Sequence, residues 1–308
     1  MGDRLKGKVA IVTGGGRGIG RGDAIVLASE GARVVVNDLG GGPDGTGASR
    51  SPADDVVAEI KKLGGQAIAN YDSVATPKGA EAIIKSAVDA FGRLDILINN
   101  AGILRDRMIF NMSDEEWDAV MKVHLYGHYY MTKNACALFR QQRSGRIVNT
   151  SSESGLGNMG QANYSAAKEA IVGLTRTVAR EMGRYGVTCN AIRPRADTRL
   201  TMTDELKKAQ ERRASAGVGG PGEVNAVEER PPEAIGHLMA WLCTDAAANV
   251  NGCTFLVWAG QVSLYSEPVV VKSIDKKGLW TIEELDHIMP RTLAQGLVNP
   301  SPAQVLQK

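Results

Sequence analysis

Excess charge of either sign is scarce in this chain. The 36 lysines and arginines stand against 34 aspartates and glutamates, a net charge of +2. Such a balance gives no reason to expect nucleic acid or an anionic membrane as partner. Cysteine is equally sparse. The four thiols, Cys136, Cys189, Cys243 and Cys253, are far apart and form no C-x-x-C pair. They read as reduced core thiols of a cytosolic protein, and no metal site is expected. No apolar run approaches the ~18 residues of a membrane-spanning helix. The first residues, MGDRLKGKVAIVTGG, enter a strand pattern without the apolar stretch of a secretion signal. The last three, Leu-Gln-Lys, are not a peroxisomal address. The cytoplasm is the expected compartment.

What remains is an ordinary globular composition. The 308 residues are 43% hydrophobic and 23% charged, enough for one large core or two smaller ones. Short β-branched runs alternate with helical patterns. VAIV (9–12), RVVVN (33–37), QAIANY (66–71), LDILI (94–98), 146–149, TCNAI (188–192) and CTFLV (253–257) read as seven strands. Helical patterns are expected over 54–63 and 78–91, and SDEE (113–116) has the form of a capping box opening a long helix that carries Trp117, His124 and Tyr126. With no internal repeat, this order implies an α/β, Rossmann-type, doubly wound parallel sheet with helices on both faces.

The first strand runs into Thr13-Gly14-Gly15-Gly16-Arg17-Gly18-Ile19-Gly20, and a helical run follows. Glycines let backbone approach a pyrophosphate closely, and the helix N-terminus presents free N–H groups to it. Asp38 follows the second strand, where a carboxylate can accept the hydroxyls of an adenine ribose and repel a 2′-phosphate. That favours NAD over NADP. Arg17 pulls the other way, since it could pair with a 2′-phosphate. The bland reading of Asp38 is a turn or helix cap. The third strand ends at Asp72-Ser73-Val74, beside the expected adenine position. The fourth ends at Asn99-Asn100-Ala101-Gly102, small residues suited to a close pass by a ribose. The glycine-rich stretch 40–52 is expected to stay irregular and to fold over the adenosine.

One further stretch carries reactive groups: SSESGLGNMGQANYSAAK (151–168). Tyr164 should open a helix, placing Lys168 one turn further along the same face. A phenol titrates near ~10 in water, and a nearby ammonium favours the phenolate. Such a tyrosine could exchange a proton with an alcohol or ketone. A serine from the preceding loop could hold the same oxygen. The bland reading of a Tyr-x-x-x-Lys pair is packing plus a solvated charge.

These motifs, in this order, resemble the short-chain dehydrogenase/reductase family over about residues 5–262. VVVNDLGG (34–41), ANYDSV (69–74), AFGRLD (90–95), NNAGILRDR (99–107), VHLYG (123–127) and GNMGQANYSAAK (157–168) resemble, within it, the (3R)-hydroxyacyl-CoA dehydrogenase unit of the peroxisomal type 2 multifunctional enzymes. The resemblance implies a free-standing relative that oxidises a secondary alcohol with NAD. The expected substrate is a 3-hydroxyacyl-CoA with a fatty acyl or steroid side chain; the alternatives are an NADPH-dependent 3-oxoacyl reductase, a free-alcohol dehydrogenase or an idle nucleotide-binding scaffold. It implies Tyr164 as proton acceptor, Lys168 as its partner on the nicotinamide ribose, and a serine on the substrate oxygen. Gly14, Gly18, Ile19 and Gly20 would line the pyrophosphate, Asp38 the adenine ribose, Asp72, Ser73 and Val74 the adenine, Asn100, Ala101 and Gly102 the ribose, and Thr198 the nicotinamide amide. A homodimer or homotetramer is implied in the same way.

Three positions depart from the family pattern. The usual serine-to-tyrosine spacing selects Ser151, whereas strand register selects Ser152, which is preferred. His124 stands where many members carry asparagine; it either supports a water relay or is a packed histidine. Pro194-Arg195 replaces the usual Pro-Gly. Residues 200–232 are expected to form a substrate loop, with Lys207, Lys208, Arg212 and Arg213 either meeting CoA phosphates or forming a solvated face. Residues 263–308 are expected as an extension over the domain or a subunit contact, with a strand at 269–271 and a helix over 281–289.

Overall fold

The computed structural model describes residues 2–196 and 231–300. They divide into two units, Met1–Tyr265 and Ser266–Lys308.

In the first unit the described residues build one eight-stranded sheet. Its strands are β1 (Val9–Thr13), β2 (Arg33–Asn37), β3 (Gln66–Asn70), β4 (Ile96–Asn99), β5 (Gly145–Thr150), β6 (Val187–Pro194), β7 (Thr254–Trp258) and β8 (Gln261–Leu264), in the order β3-β2-β1-β4-β5-β6-β7-β8. The seven expected strands are all present, and β1 to β7 pair in parallel. The eighth, β8, was not anticipated. It folds back antiparallel on β7, with Trp258 opposite Gln261, because the turn at Ala259-Gly260 is short enough for a hairpin.

The central strands are buried on both faces, as their unbroken apolar runs require. Along β1, Ala10 and Val12 enter one core with residues of α1 (Gly18–Ser29), α2 (Ser51–Lys62) and α7 (Glu233–Leu242). Val9 and Ile11 enter the other with residues of α3 (Pro77–Phe91), α5 (Gly127–Gln142) and α6 (Ala162–Met182). The sheet reverses its strand order between β1 and β4, so the C-terminal ends of those two strands part and leave a crevice.

The expected long helix after Ser113 is broken into pieces. Ser113 does form the capping box with Glu116 and starts α4 (Asp114–Met121). A π turn, Lys122–Tyr126, then leads into α5. One extra residue in that turn re-aims His124 inward.

In the second unit, Thr281 and Glu284 form a capping box that starts α8 (Ile282–Ile288). Lys276 stands 5.3 Å from the Trp280 ring centroid and pairs with Glu284. The strand expected at 269–271 is absent. Val269, Val270 and Val271 are 74%, 84% and 85% exposed. β-branched residues favour a strand only where a neighbour completes the ladder, and no strand pairs with them among the described residues.

Candidate active site

The crevice between β1 and β4 opens into a concave cleft, the kind of place where small molecules bind. Of the residues expected at a cofactor, Gly14, Arg17, Gly18, Ile19, Asp38, Asp72, Ser73, Val74, Asn100, Ala101 and Gly102 all line it. Gly20, Tyr164 and Lys168 do not; Gly20 stands behind the turn, and Thr198 lies outside the described residues.

The floor is tied together by short polar links. Thr13 Oγ1 donates to Ile98 O at 3.3 Å and accepts from the N–H groups of Asn100 at 3.0 Å and Ala101 at 3.2 Å. Asn100 Nδ2 donates back to Thr13 O and Gly14 O at 3.1 and 3.2 Å. The Asn100 amide is therefore spent on holding the glycine turn. Gly14 has φ +63°, and a Cβ there would sit 2.8 Å from Ala101 Cα. A side chain would fill the cradle, and glycine leaves the backbone bare toward the cleft, as a pyrophosphate requires.

Asp38 is 8% exposed and caps two turns at once. Its Oδ2 accepts from Gly16 N at 2.9 Å and its Oδ1 from Gly40 N at 2.7 Å. The capping role is present, yet each carboxylate oxygen keeps a further lone pair for a ribose hydroxyl. Arg17 donates to Gly41 O at 3.2 Å and fastens the glycine-rich stretch to the turn. Residues 40–50 of that stretch are irregular while 51 and 52 already belong to α2, and Leu39, Gly41, Gly42 and Gly45 contribute to the cleft wall. Asn37, Ile103 and Val123 also line it and were not anticipated. Asn37 Nδ2 donates to Asn70 Oδ1 at 2.8 Å and Asp72 O at 2.9 Å, aligning the end of β3. An asparagine closing an otherwise apolar strand was the signal for it.

The second group of residues gathers around the start of α6. Asn163, fully buried and unanticipated, donates Nδ2 to Arg105 O at 3.0 Å and Glu116 O at 3.1 Å. Its Oδ1 accepts from Tyr164 N at 2.7 Å. One side chain thus fixes where the helix begins and where Tyr164 points. The Ser152 hydroxyl stands near enough to the Tyr164 phenol to pull its pKa down. Ser151 faces elsewhere: 1% exposed, it donates to Lys168 O at 2.7 Å. Strand register, rather than loop length, decides which serine meets the tyrosine.

Lys168 is 2% exposed, donates Nζ to Thr150 O at 2.5 Å and stands 5.4 Å from the Tyr164 ring centroid. Burial lowers its pKa to about 7. Burial also pushes the Tyr164 phenol up to about 12, against the lowering contribution of Ser152, and the Asp106 charge adds to the rise. The expected lowering of the phenol by the ammonium is therefore not what the site shows. Desolvation disfavours both charged forms and is the largest cause at each.

His124 meets Tyr164 edge-on, 5.1 Å between ring centroids at 88°. Its Nε2 lies 2.8 Å from Ile103 O and 3.0 Å from Ile103 N, a pair only one tautomer can serve at a time. Burial, with Lys168 second, holds its pKa well below the usual value, so the ring is neutral. A Cβ on Gly102 would come 2.4 Å from His124 Cε1, so the ring packs flush against the cleft backbone. Arg195, in place of the usual glycine, pairs with Glu153, its Nη2 2.8 Å from Oε1, and stands 5.5 Å from the Trp258 ring centroid. It anchors the end of β6 to the loop that begins at Ser152.

No helix among the described residues is long and apolar enough to cross a membrane, and no His, Cys, Asp and Glu cluster there could hold a metal.

The fold, the glycine turn at the switch point and the Ser-Tyr-Lys group define a nucleotide-dependent oxidoreductase. The sequence profile of the short chain dehydrogenase family matches residues 8–211, and the chain belongs to that family. It is an oxidoreductase acting on CH–OH groups, with an NAD(P) nucleotide as cofactor and a small molecule as substrate. It is 44% identical over 295 residues to hydroxyacyl-CoA dehydrogenase ChsB1 of Mycobacterium tuberculosis, covering 91% of this chain and 87% of that protein. It is 45% identical over 260 residues to mouse peroxisomal multifunctional enzyme type 2, covering 84% of this chain but 32% of that longer enzyme. A crystal structure of a short chain dehydrogenase from Mycobacterium avium superposes with a TM-score of 0.81 at 44% identity, over 94% of this chain and 96% of the other.

Proposed function

We propose that the protein oxidises the 3-hydroxyl of a 3-hydroxyacyl-CoA, with a fatty acyl or steroid side chain, to the ketone, using NAD. The observation that carries the reading is the buried Tyr164 phenol with Ser152 beside it and Lys168 5.4 Å from its ring centroid. The choice of acyl-CoA rests on the names of the relatives. Cytoplasmic location and assembly as a homodimer or homotetramer belong to the same proposal.

A bound nicotinamide would supply the hydride acceptor. The chain's own residues do the rest. Ser152 holds the substrate hydroxyl against Tyr164, so no rotational freedom is lost at the moment of reaction. Tyr164 takes the hydroxyl proton. Lys168 lies deep enough that its proton is shared out near neutral pH. As it charges, it favours the phenolate that its neutral form does not. Gly14, Gly18 and Ile19 give bare backbone N–H groups for a pyrophosphate. Asp38 favours a ribose with free hydroxyls, so NAD is preferred to NADP.

Tyr164→Phe tests the reading. It should bind NAD as the wild type does and lose at least ~10³-fold in turnover, since proton transfer alone contributes about 10²–10⁴-fold. Turnover within tenfold of the wild type would sink it. An NADPH-dependent 3-oxoacyl reductase is the second reading. Arg17 at the cleft favours it, and preference for NADPH over NADH would select it.

A further inference from the structure

A line of hydrogen bonds leads away from Ser152, first through the backbone N–H of Ser154 and then through side chains, and ends on an acid that the proposed chemistry does not use. Ser152 Oγ accepts from Ser154 N at 3.1 Å. Ser154 Oγ accepts from Asn158 Nδ2 at 3.3 Å, and the same amide donates to Gln161 Oε1 at 2.7 Å. Gln161, 6% exposed, donates its own Nε2 to Asp106 Oδ2 at 2.7 Å. The backbone runs alongside: Arg107 N donates to Gly160 O at 2.8 Å, and Arg107 and Gln161 form a parallel bridge. The segment after β4 and the loop before α6 are thus clamped to each other at Asp106. Gln161 has its amide oxygen and nitrogen both committed, so its orientation is fixed.

We propose that Asp106 is a positioning residue for the Ser152–Tyr164 pair: its carboxylate anchors the Gln161–Asn158–Ser154 line that sets where the Ser152 hydroxyl stands. The proposal rests on the reading of Tyr164 as proton acceptor. It gives Asp106 a second, electrostatic consequence. Tyr164 is faced by Lys168 from its own helix, by neutral His124 from the π turn and by Asp106 from the segment after β4. Arg107, next to Asp106, is paired with Glu116 of α4 at 2.8 Å, and Arg105 donates to Asp44 O at 3.0 Å. Neither arginine is spent on Asp106. Its negative charge therefore opposes the phenolate. Removing the charge while keeping the hydrogen bond lowers the pH at which Tyr164 becomes a base.

The test uses the full chain, with NAD and whichever hydroxyacyl-CoA the wild type oxidises. Asp106→Asn still accepts from Gln161 and lacks the charge. The rising limb of its kcat/KM profile should move to lower pH by roughly 0.5–1 unit. Gln161→Ala cuts the line at its middle with the charge left in place. It should lose roughly tenfold in kcat, with the limb and the KM for NAD unchanged. A merely structural role would not move the limb. An Asp106→Asn profile coincident with the wild type, or an undiminished kcat in Gln161→Ala, overturns the proposal. Should Asp106→Asn fail to fold, the kcat of Gln161→Ala decides alone. Tyr164→Phe separates the two levels. If it is inactive and the limb of Asp106→Asn does not move, only the role of Asp106 falls. If it is active, the underlying reading falls with it.

Discussion

Gly20→Ala is the smallest change that should disable the cofactor turn from a residue that does not itself line the cleft. A Cβ at Gly20 would lie 2.2 Å from Gly14 O and 2.5 Å from Asn100 Nδ2. That is more than 1 Å inside the ~3.5 Å of ordinary contact. The obstacle is mainly backbone, so no side chain can rotate aside. The Gly14 carbonyl must move, and the 3.2 Å bond from Asn100 Nδ2 is lost with it. Overpacking of this kind costs about 1–3 kcal/mol, and a lost hydrogen bond about 1 kcal/mol more. Part of that falls on stability. The rest falls on the turn that must present its backbone to a pyrophosphate. We expect unfolding stability to drop by roughly 1–3 kcal/mol and NAD affinity by roughly 10–100-fold, equivalent to ~1.4–2.7 kcal/mol. Denaturant unfolding and NAD titration by intrinsic fluorescence measure the two. Gly173→Ala is the control: nothing lies within 4 Å of its Cβ position on α6. It should be neutral or stabilising by up to ~1 kcal/mol. A Gly20→Ala protein with wild-type stability and NAD affinity within twofold would refute the packing argument.

Other outcomes follow from the same geometry. Lys168 is held at about 7 against an ordinary 10.5. Between those values the unfolded chain binds more protons than the folded one, so stability rises with pH there. Lys168→Met should flatten that rise in denaturant unfolding of the cofactor-free protein. Asp23 is fully buried on α1 and neither carboxylate oxygen has a partner among the described residues. Burial raises its pKa well above the usual value, so its folded form holds its proton while the unfolded one loses it. Stability is therefore lost as pH rises above the ordinary carboxylate range. Asp23→Ala should remove that loss and stabilise the protein at neutral pH by about 1–3 kcal/mol. Asn163→Ala removes two carbonyl contacts and the Tyr164 N–H acceptor, and should cost about 2–3 kcal/mol in unfolding together with a fall in kcat. Ser152→Ala should lose far more turnover than Ser151→Ala, because the Ser151 hydroxyl is bound to Lys168 O and turned from the phenol.

Much of this was legible in the sequence because the signals are local. The glycine turn, Asn99–Gly102 and Asp72–Val74 each end a strand, and parallel strands bring their C-terminal ends to one edge whatever the helices do. The capping box at Ser113 is complete within four residues. What escaped depends on neighbours far along the chain. The strand β8 exists because Trp258 and Gln261 can pair across a short turn, while Val269–Val271, equally β-branched, find no partner strand among the described residues. The role of Asn163 lies in the carbonyls of Arg105 and Glu116, which no spacing reveals. The Tyr164 phenol was expected to fall with Lys168 nearby. It rises instead, because desolvation is a property of the packed site and not of the Tyr-x-x-x-Lys spacing.

The most direct measurement is NADH formation from NAD with (3R)- and (3S)-hydroxyacyl-CoAs of short, long and steroid side chains, with NADP run in parallel. The account predicts stereoselective turnover with NAD, little with NADP, and loss of that turnover in Tyr164→Phe. Binding of NAD without oxidation of any thioester, or turnover that survives the loss of the Tyr164 hydroxyl, would contradict it.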